Sequence, residues 1–312
     1  MTYINEEGSK GIKILFTGLD NAGKSSIVLS LLREFTKIAI VKPTKGAERR
    51  SFEFLNLIVS EWDLGGQERY RNEYIKDPDL FFTKTESLIF VIDIQSPDRV
   101  IESISYLQTI VDQFNKFEIK PDINIFFHKI DPEIYIKAQN EIDNIIDNIK
   151  NQIKKKIEYP NFNFYKTTIF DLSTIINAMS EILLRKFPKT EILKETIEQF
   201  ANKINAIGLE IIDDNSFILG SFYKDDFIKQ LLNQTTPYFL KINDTFESVS
   251  SEACKPDDQM VIQRFGKYFL FKKFILKKSG LYYYLLLCKD DFSFDQEIYD
   301  TFIKLLKELL YQ

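Results

Sequence analysis

Cysteine and histidine are nearly missing from this chain. There are two cysteines, Cys254 and Cys288, and one histidine, His128, among 312 residues. Two cysteines with no close pair exclude a disulfide framework and a thiolate metal cluster, and they fit a reducing compartment. A lone imidazole excludes a zinc site built from several histidines of one chain. Long apolar runs are missing too. The longest, 281–288, has the length of a strand and falls far short of the ~20 residues that span a bilayer. Neither sign of charge dominates: 41 Lys and Arg stand against 46 Asp and Glu, mixed along the chain, for a net charge of −5. That balance gives no polyanion-binding surface, so no nucleic-acid partner is expected. The start, Met1-Thr2-Tyr3-Ile4-Asn5-Glu6-Glu7, lacks the basic-then-apolar order of a signal peptide, and Thr2 excludes N-myristoylation. The end, Leu309-Leu310-Tyr311-Gln312, carries no prenylation box. We therefore expect a cytoplasmic protein with no direct membrane anchor, brought to any endomembrane by partners.

What is present is a regular alternation. Short apolar runs at 12–17, 52–62, 88–93, 123–128 and 162–165 read as strands, the second as one or two. Helical stretches fall between them at 26–36, 96–117 and 132–157, with a closing helix at 173–187. Strand alternating with helix predicts an α/β domain with a mostly parallel sheet and helices on both faces. Pro188 marks the expected boundary, giving domains 1–188 and 189–312. Beyond it the order changes to a helix (190–207), a hairpin around Asp214-Asn215 (208–213 and 216–223) and a helix at 225–246 that Pro237 should break or kink. A three-stranded meander (262–270, 272–278 and 281–288, with Ser279-Gly280 as its second turn) and a final helix (294–311) follow, which is a smaller α+β domain. The alternating strand 216–223 would need a partner or a cover if it lay at a sheet edge.

Four stretches carry chemistry. Gly18-Leu19-Asp20-Asn21-Ala22-Gly23-Lys24-Ser25 matches G-x-x-x-x-G-K-[ST] between a strand and a helix, and the chain has only 11 glycines in which such a match can arise. Its glycines let the backbone approach phosphates, and the N–H groups of Asp20 to Ser26 point at them. Lys24 adds charge at the β and γ phosphates, and the Ser25 hydroxyl is placed for Mg²⁺. Asp63-Leu64-Gly65-Gly66-Gln67 ends a strand: Asp63 can hold Mg²⁺ through water, Gly66 offers an N–H to the γ-phosphate, and Gln67 can orient an attacking water. Between them, Thr44 is preferred over Thr36 as the third metal-side residue, its hydroxyl sensing the γ-phosphate. His128-Lys129-Ile130-Asp131 closes the next strand. The Asp131 carboxylate accepts from guanine N1–H and its amine, a donor pair adenine lacks. Lys129 lies against the base, and His128 bridges loop and base, so that its protonation should weaken binding below about pH 6. The backbone of Lys166-Thr167-Thr168-Ile169, chiefly Thr168 and Ile169, is placed to support the guanine O6.

These motifs resemble those of Ras-superfamily small GTPases. Trp62-Asp63-Leu64-Gly65-Gly66-Gln67 looks like the W-D-x-G-G-Q of Arf and Rag proteins, and His128-Lys129-Ile130-Asp131 looks like the H-K-x-D of Rag GTPases. Lys166-Thr167-Thr168-Ile169-Phe170-Asp171 is similar to the Rag pattern R-T-S-I-W-D, while Leu19-Asp20-Asn21-Ala22 is more Arf-like. The α-ββ-α-βββ-α order after Pro188 is similar to the roadblock (longin-like) domain of Rag proteins. Intact Gln67, Gly65 and Gly66 resemble the RagA/Gtr-like branch.

The resemblance implies a P-loop G domain followed by a roadblock domain. It further implies GTP or GDP with Mg²⁺ as ligands, and slow hydrolysis with Gln67 and Lys24 as the catalytic pair. Pairing with a Rag-like GTPase or an identical chain is implied too, together with activator, exchange-factor and effector partners and a part in nutrient or endomembrane signalling. An Arf-like vesicle-traffic GTPase and a nucleotide-bound scaffold with little turnover are the alternatives. The short, polar residues 1–11 argue against the Arf type.

Overall fold

A computed structural model of the chain describes residues 3–4, 10–55, 57–249, 258–276 and 281–311. Cys254 and the expected Ser279-Gly280 turn lie outside the described residues. Packing divides the chain into two units, Met1–Ile175 and Ile176–Gln312. The division falls inside a helix that the sequence assigned wholly to the first domain.

The strands of the first unit are β1 (Tyr3–Ile4), β2 (Lys10–Gly18), β3 (Ala47–Phe54), β4 (Leu57–Leu64), β5 (Ser87–Asp93), β6 (Asp122–His128) and β7 (Phe162–Thr167). Its helices are α1 (Lys24–Leu31), α2 (Phe35–Ile38), α3 (Glu68–Lys76), α4 (Pro78–Phe82), α5 (Val100–Lys116) and α6 (Pro132–Lys156), and α7 (Leu172–Leu184) begins there. The sheet runs β3-β4-β2-β5-β6-β7, with β1 paired antiparallel to β2. Every pairing from β4 to β7 is parallel, and β3 is antiparallel to β4. The central strands are apolar on both faces because helices cover both: Ile89, Phe90, Val91, Ile125, Phe126 and Phe127 are all fully buried. Helix α6 buries Ile142, Ile146, Ile149 and Ile153, the i, i+4, i+7, i+11 stripe of a helix lying on a sheet. Since the parallel strands share one direction, their carboxyl ends carry Gly18, Asp63, Asp93, His128 and Thr167 to one edge, where such folds hold their ligands.

The second unit contains α8 (Thr190–Lys203), β8 (Gly208–Asp213), β9 (Ile218–Tyr223), α9 (Asp226–Val249), β10 (Gln259–Arg264), β11 (Lys267–Ile275), β12 (Tyr282–Lys289) and α10 (Gln296–Tyr311). This is the expected α-ββ-α-βββ-α order. The antiparallel sheet runs β10-β11-β12-β8-β9. Helices α8 and α10 share one face, where Phe200 and Phe302 stack with centroids 3.9 Å apart. A Cβ on Gly220 would meet Ile197 of α8 at 2.4 Å, and one on Gly208 would meet Ile228 of α9 at 2.4 Å. These two glycines let helices approach opposite faces of the sheet.

Three expectations change. Helix α9 runs through Pro237 without a break, whereas helical angles fail at Ala138 inside α6 (φ −135°, ψ 33°). The first turn of the meander is Phe265-Gly266, not the region of 271, because both residues take positive φ (54° and 70°), as a tight hairpin turn requires. Strand β9 is a sheet edge, but it is covered at its start: the Ile218 N–H donates to Ser180 Oγ of α7 at 2.8 Å. The exposed edge is β10 instead.

Candidate functional site

The turn after β2 is built for close approach to an anion. Gly18 has φ +141°, and a Cβ there would stand 2.4 Å from the Val91 carbonyl oxygen. Asn21 adopts a left-handed conformation (φ 59°) that asparagine tolerates. Gly23 has φ +97°, and a Cβ on it would collide with the His128 ring at 2.5 Å. Ala22 is buried, and its N–H reaches back to Leu19 O at 3.4 Å. Helix α1 opens directly after Gly23 with no side-chain cap and no acidic residue in its first turn. The orphan N–H groups around Lys24, Ser25 and Ser26 are thus left for a ligand. Lys24 is buried and donates to Gly18 O (3.1 Å) and Leu19 O (2.8 Å). Burial lowers its pKa to about 8, against the pull of Asp63 and Asp20.

Three elements bring Ser25, Thr44 and Asp63 together. Ser25 Oγ donates to Asp63 Oδ2 at 2.7 Å and lies 2.7 Å from Thr44 Oγ1, which is itself 3.4 Å from Asp63 Oδ2. Thr36 lies exposed in α2, away from this cluster. Asp63 is buried, and its Oδ1 has no hydrogen-bond partner. Burial pushes its carboxyl upward despite Lys24 and Ser25. An orphaned carboxylate oxygen beside two hydroxyls is a hard-oxygen donor set that suits Mg²⁺, which takes one or two carboxylates and fills its octahedron with water and phosphate oxygens. The residues present fit the ion. Gly65 and Gly66 are required by space alone: a Cβ on Gly65 would meet Thr44 O at 2.6 Å, and one on Gly66 would meet Asp20 N at 2.3 Å. The Gly66 carbonyl ties this turn to the phosphate loop, accepting from the Asp20 N–H at 3.1 Å. Gln67 follows at once, as the residue before α3.

At the base end, Asp131 precedes α6 but does not cap it. Its carboxylate turns sideways, accepting from Thr168 Oγ1 at 2.8 Å and from Gln95 Nε2 at 3.1 Å. Thr168 therefore acts through its hydroxyl. Its backbone N–H is spent on Thr174 Oγ1 (3.1 Å), so among the two residues expected to support the base through their backbone, Ile169 is the next N–H along the loop. Lys129 sits at φ 66° and pairs with Asp93 Oδ2 at 2.7 Å. His128 is buried under the phosphate loop, with Nδ1 3.0 Å from Thr167 Oγ1. Its ring packs against Gly23 on one side and reaches Thr167 of β7 on the other.

Burial and the neighbouring Lys129 lower the pKa of His128 to about 4. The expected affinity loss below pH 6 is thereby corrected: the folded imidazole stays neutral to about pH 4. The unfolded chain takes up this proton near pH 6.5, so stability is full above that value and is lost as pH falls toward 4. His128→Asn should flatten this limb, worth on the order of 2–3 kcal/mol. Chemical denaturation of both proteins from pH 7 to 4.5 checks it; equal slopes would contradict it.

Sequence reasoning missed Gln95, Asp93 and Arg99. Arg99 donates to Asp20 O (3.0 Å) and Asp20 Oδ1 (2.6 Å) from the turn before α5. Its only local signal was a position shortly after a strand that ends at the site.

The model of the Gtr1/RagA G protein conserved region matches residues 13–252. Among solved structures, the small GTPase Arl6 (BBS3) of Trypanosoma brucei, with bound nucleotide analogue GppNp, is similar at 16% identity and a TM-score of 0.41, over 56% of this chain and 96% of that one. That family match spans most of the chain, and the chain belongs to the Gtr1/RagA family of GTP-binding small GTPases.

Proposed function

We propose that the chain is a GTP/GDP-controlled switch that hydrolyses GTP slowly. The observation that carries this is the meeting of Thr44 with Ser25 and Asp63. Thr44 comes from an irregular segment between α2 and β3, so holding it at the metal side makes that segment's position depend on the nucleotide. When bound there, Mg²⁺ would neutralise charge on the β and γ phosphates. Lys24 and the N–H groups around Lys24, Ser25 and Ser26 would take up the charge that develops on the γ-phosphate, and Gln67 would orient water for in-line attack. Two arginines beside the site are held by carboxylates: Arg99 is engaged by Asp20, and Arg71 by Glu102. Intrinsic turnover should be on the order of 10⁻⁴–10⁻² s⁻¹, with an activator supplying the rest. Gln67→Leu is expected to lower single-turnover hydrolysis at least tenfold with GTP affinity retained; an unchanged rate would remove Gln67 from the reaction.

Trp62 offers a second test, which separates the switch from a scaffold. The Arg49 guanidinium (3.6 Å) and the Lys13 ammonium (4.1 Å) both lie over its ring, and Arg49 belongs to β3, just beyond Thr44. Emission should change when GDP is replaced by a non-hydrolysable GTP analogue. Proven exchange with constant emission would favour the scaffold reading.

Pairing through the second, roadblock-like domain (189–312) is part of the proposal. Helix α9 exposes Tyr238, Ile242, Phe246 and Val249, an i, i+4, i+8, i+11 stripe. Its end is tied to β11 by the Lys273–Glu247 pair (2.5 Å), beside the exposed edge strand β10 with Val261 and Ile262. An exposed edge strand can pair with a copy of itself across a two-fold axis and bury the neighbouring apolar stripe, and we propose a second domain of the same kind, from an identical or a Rag-like chain, as its occupant. Native mass spectrometry should find a dimer that Phe246→Lys converts to monomer; a monomeric parent chain would contradict self-pairing.

No helix among the described residues is long and apolar enough to cross a membrane. A cytoplasmic location with recruitment to an endomembrane through partners, and a part in nutrient signalling with an activator, an exchange factor and an effector, complete the proposal.

A further inference from the structure

Four alternating charges run from the phosphate loop to the helix that follows Gln67. Asp20 of the loop pairs with Arg99 at 2.6 Å. Arg99 Nε faces Glu102 Oε2 at 3.5 Å, and Glu102 Oε1 accepts from Arg71 of α3 at 2.5 Å. Glu102 stands in α5, which is fastened to the core by the buried Ile104, Leu107 and Ile110. The carboxylate in the middle is thus on a fixed helix, while its two guanidiniums reach to two segments that border the phosphates.

A second line of contact runs beside it. The Arg71 guanidinium lies over the Tyr106 ring at 5.1 Å, and the Tyr106 hydroxyl is 3.1 Å from Thr17 Oγ1, the residue before Gly18. Arg71 is mostly buried, with its Nε unpartnered, so its place depends on Glu102 and the ring.

We propose that Arg99 is a positioning residue that couples the place of α3 to the phosphate loop, and that the coupling favours the triphosphate over the diphosphate. The inference rests on the nucleotide-switch reading above. Its physical logic is competition for one guanidinium. A carboxylate in a phosphate-binding loop repels the ligand unless it is neutralised, and its charge is felt at Lys24. Arg99 neutralises Asp20 while holding its backbone carbonyl, a two-point grip. With α3 docked, Glu102 shares its charge between Arg71 and Arg99. With α3 displaced, Glu102 has only Arg99 and draws it from Asp20. The bared carboxylate then opposes the extra charge of a γ-phosphate more than it opposes a diphosphate. By reciprocity, a γ-phosphate favours the docked α3.

The test is the ratio of GTP-analogue to GDP affinity, measured by displacement of a fluorescent nucleotide from the full chain. Arg99→Ala should lower this ratio about tenfold, in the range of ordinary couplings between sites. Arg99→Lys, which keeps the charge but not the two-point grip, should fall between. Adding Asp20→Asn to Arg99→Ala should bring the ratio back to within about threefold of the parent, since no bared charge remains. Arg71→Ala should lower the ratio about threefold in the parent and have no further effect in a Glu102→Ala background. A purely structural role would lower melting temperature and both affinities together, leaving the ratio alone. A ratio unmoved by Arg99→Ala and Arg99→Lys, in a parent that binds both nucleotides, overturns the coupling and leaves the nucleotide reading standing. A parent that binds neither nucleotide overturns both.

Discussion

Replacing Lys24 by methionine is expected to weaken GTP and GDP binding about 10³-fold, roughly 4 kcal/mol, the scale of removing one partner from a desolvated charge pair. Methionine fills the same space, so the fold should survive, and circular dichroism should match that of the parent. The side chain is enclosed by the loop, and its ammonium spends two hydrogen bonds on the carbonyls of Gly18 and Leu19. Burial, with smaller contributions from Arg71 and Arg99, brings its pKa down to about 8 against the pull of Asp63 and Asp20. Phosphates favour the charged form, so binding restores a proton to any Lys24 that has lost one. Parent affinity should therefore fall as pH rises above about 8, and the Lys24→Met protein should lack that fall. Fluorescent-GDP titration from pH 7 to 9.5 measures both. Affinity within tenfold of the parent would mean that the phosphates bind elsewhere.

The second large effect concerns the base. Asp131→Asn replaces one acceptor oxygen by a donor amide facing guanine N1–H or its amine. GTP affinity should fall by about 10³-fold while the weak affinity for ATP stays the same, because only guanine loses hydrogen bonds. Thr168 and Gln95 hold the carboxylate in place. Gln95→Ala should cost less, about three- to tenfold, since it removes an aiming contact and not the acceptor. Competition titrations with GTP and ATP distinguish these outcomes. An Asp131→Asn protein that still prefers GTP strongly would show that another group reads the base.

The parts of the site that were legible in the sequence are those carried by short, contiguous runs. The phosphate loop, Asp63 to Gln67 and His128 to Asp131 each lie within eight residues, and backbone geometry fixes their internal spacing. The parts that were not legible are set by which strand ends meet. Arg99 reaches Asp20 across 79 positions, and Gln95 reaches Asp131 across 36, because β5 neighbours both β2 and β6. Nothing periodic marks either residue. His128 was legible as a motif position but not as a buried one. Its burial follows from Gly23 packing on its ring, and that contact moves its titration away from the range in which it was expected.

The same distinction holds for the fold. Element order follows from periodicity, and both sheets contain the strands that alternation predicts. Which strand is the exposed edge does not follow, because edge position depends on pairing order; β9 and β10 could not be told apart from their own residues. Pro237 and Ala138 mark another limit. A helix packed on a sheet can carry a proline when its buried face holds it, and α9 buries Thr236, Pro237, Phe239 and Leu240. The irregularity at Ala138 arises with no local cue in its sequence.

The central claim is that one sheet edge binds a magnesium–guanine nucleotide through the phosphate loop and Asp131. The most direct measurement is to purify the full chain, denature it, and identify by chromatography what it releases. The account predicts close to one equivalent of GDP or GTP. Release of adenine nucleotide, or no nucleotide together with no calorimetric heat for GTP or GDP in excess Mg²⁺, would contradict it.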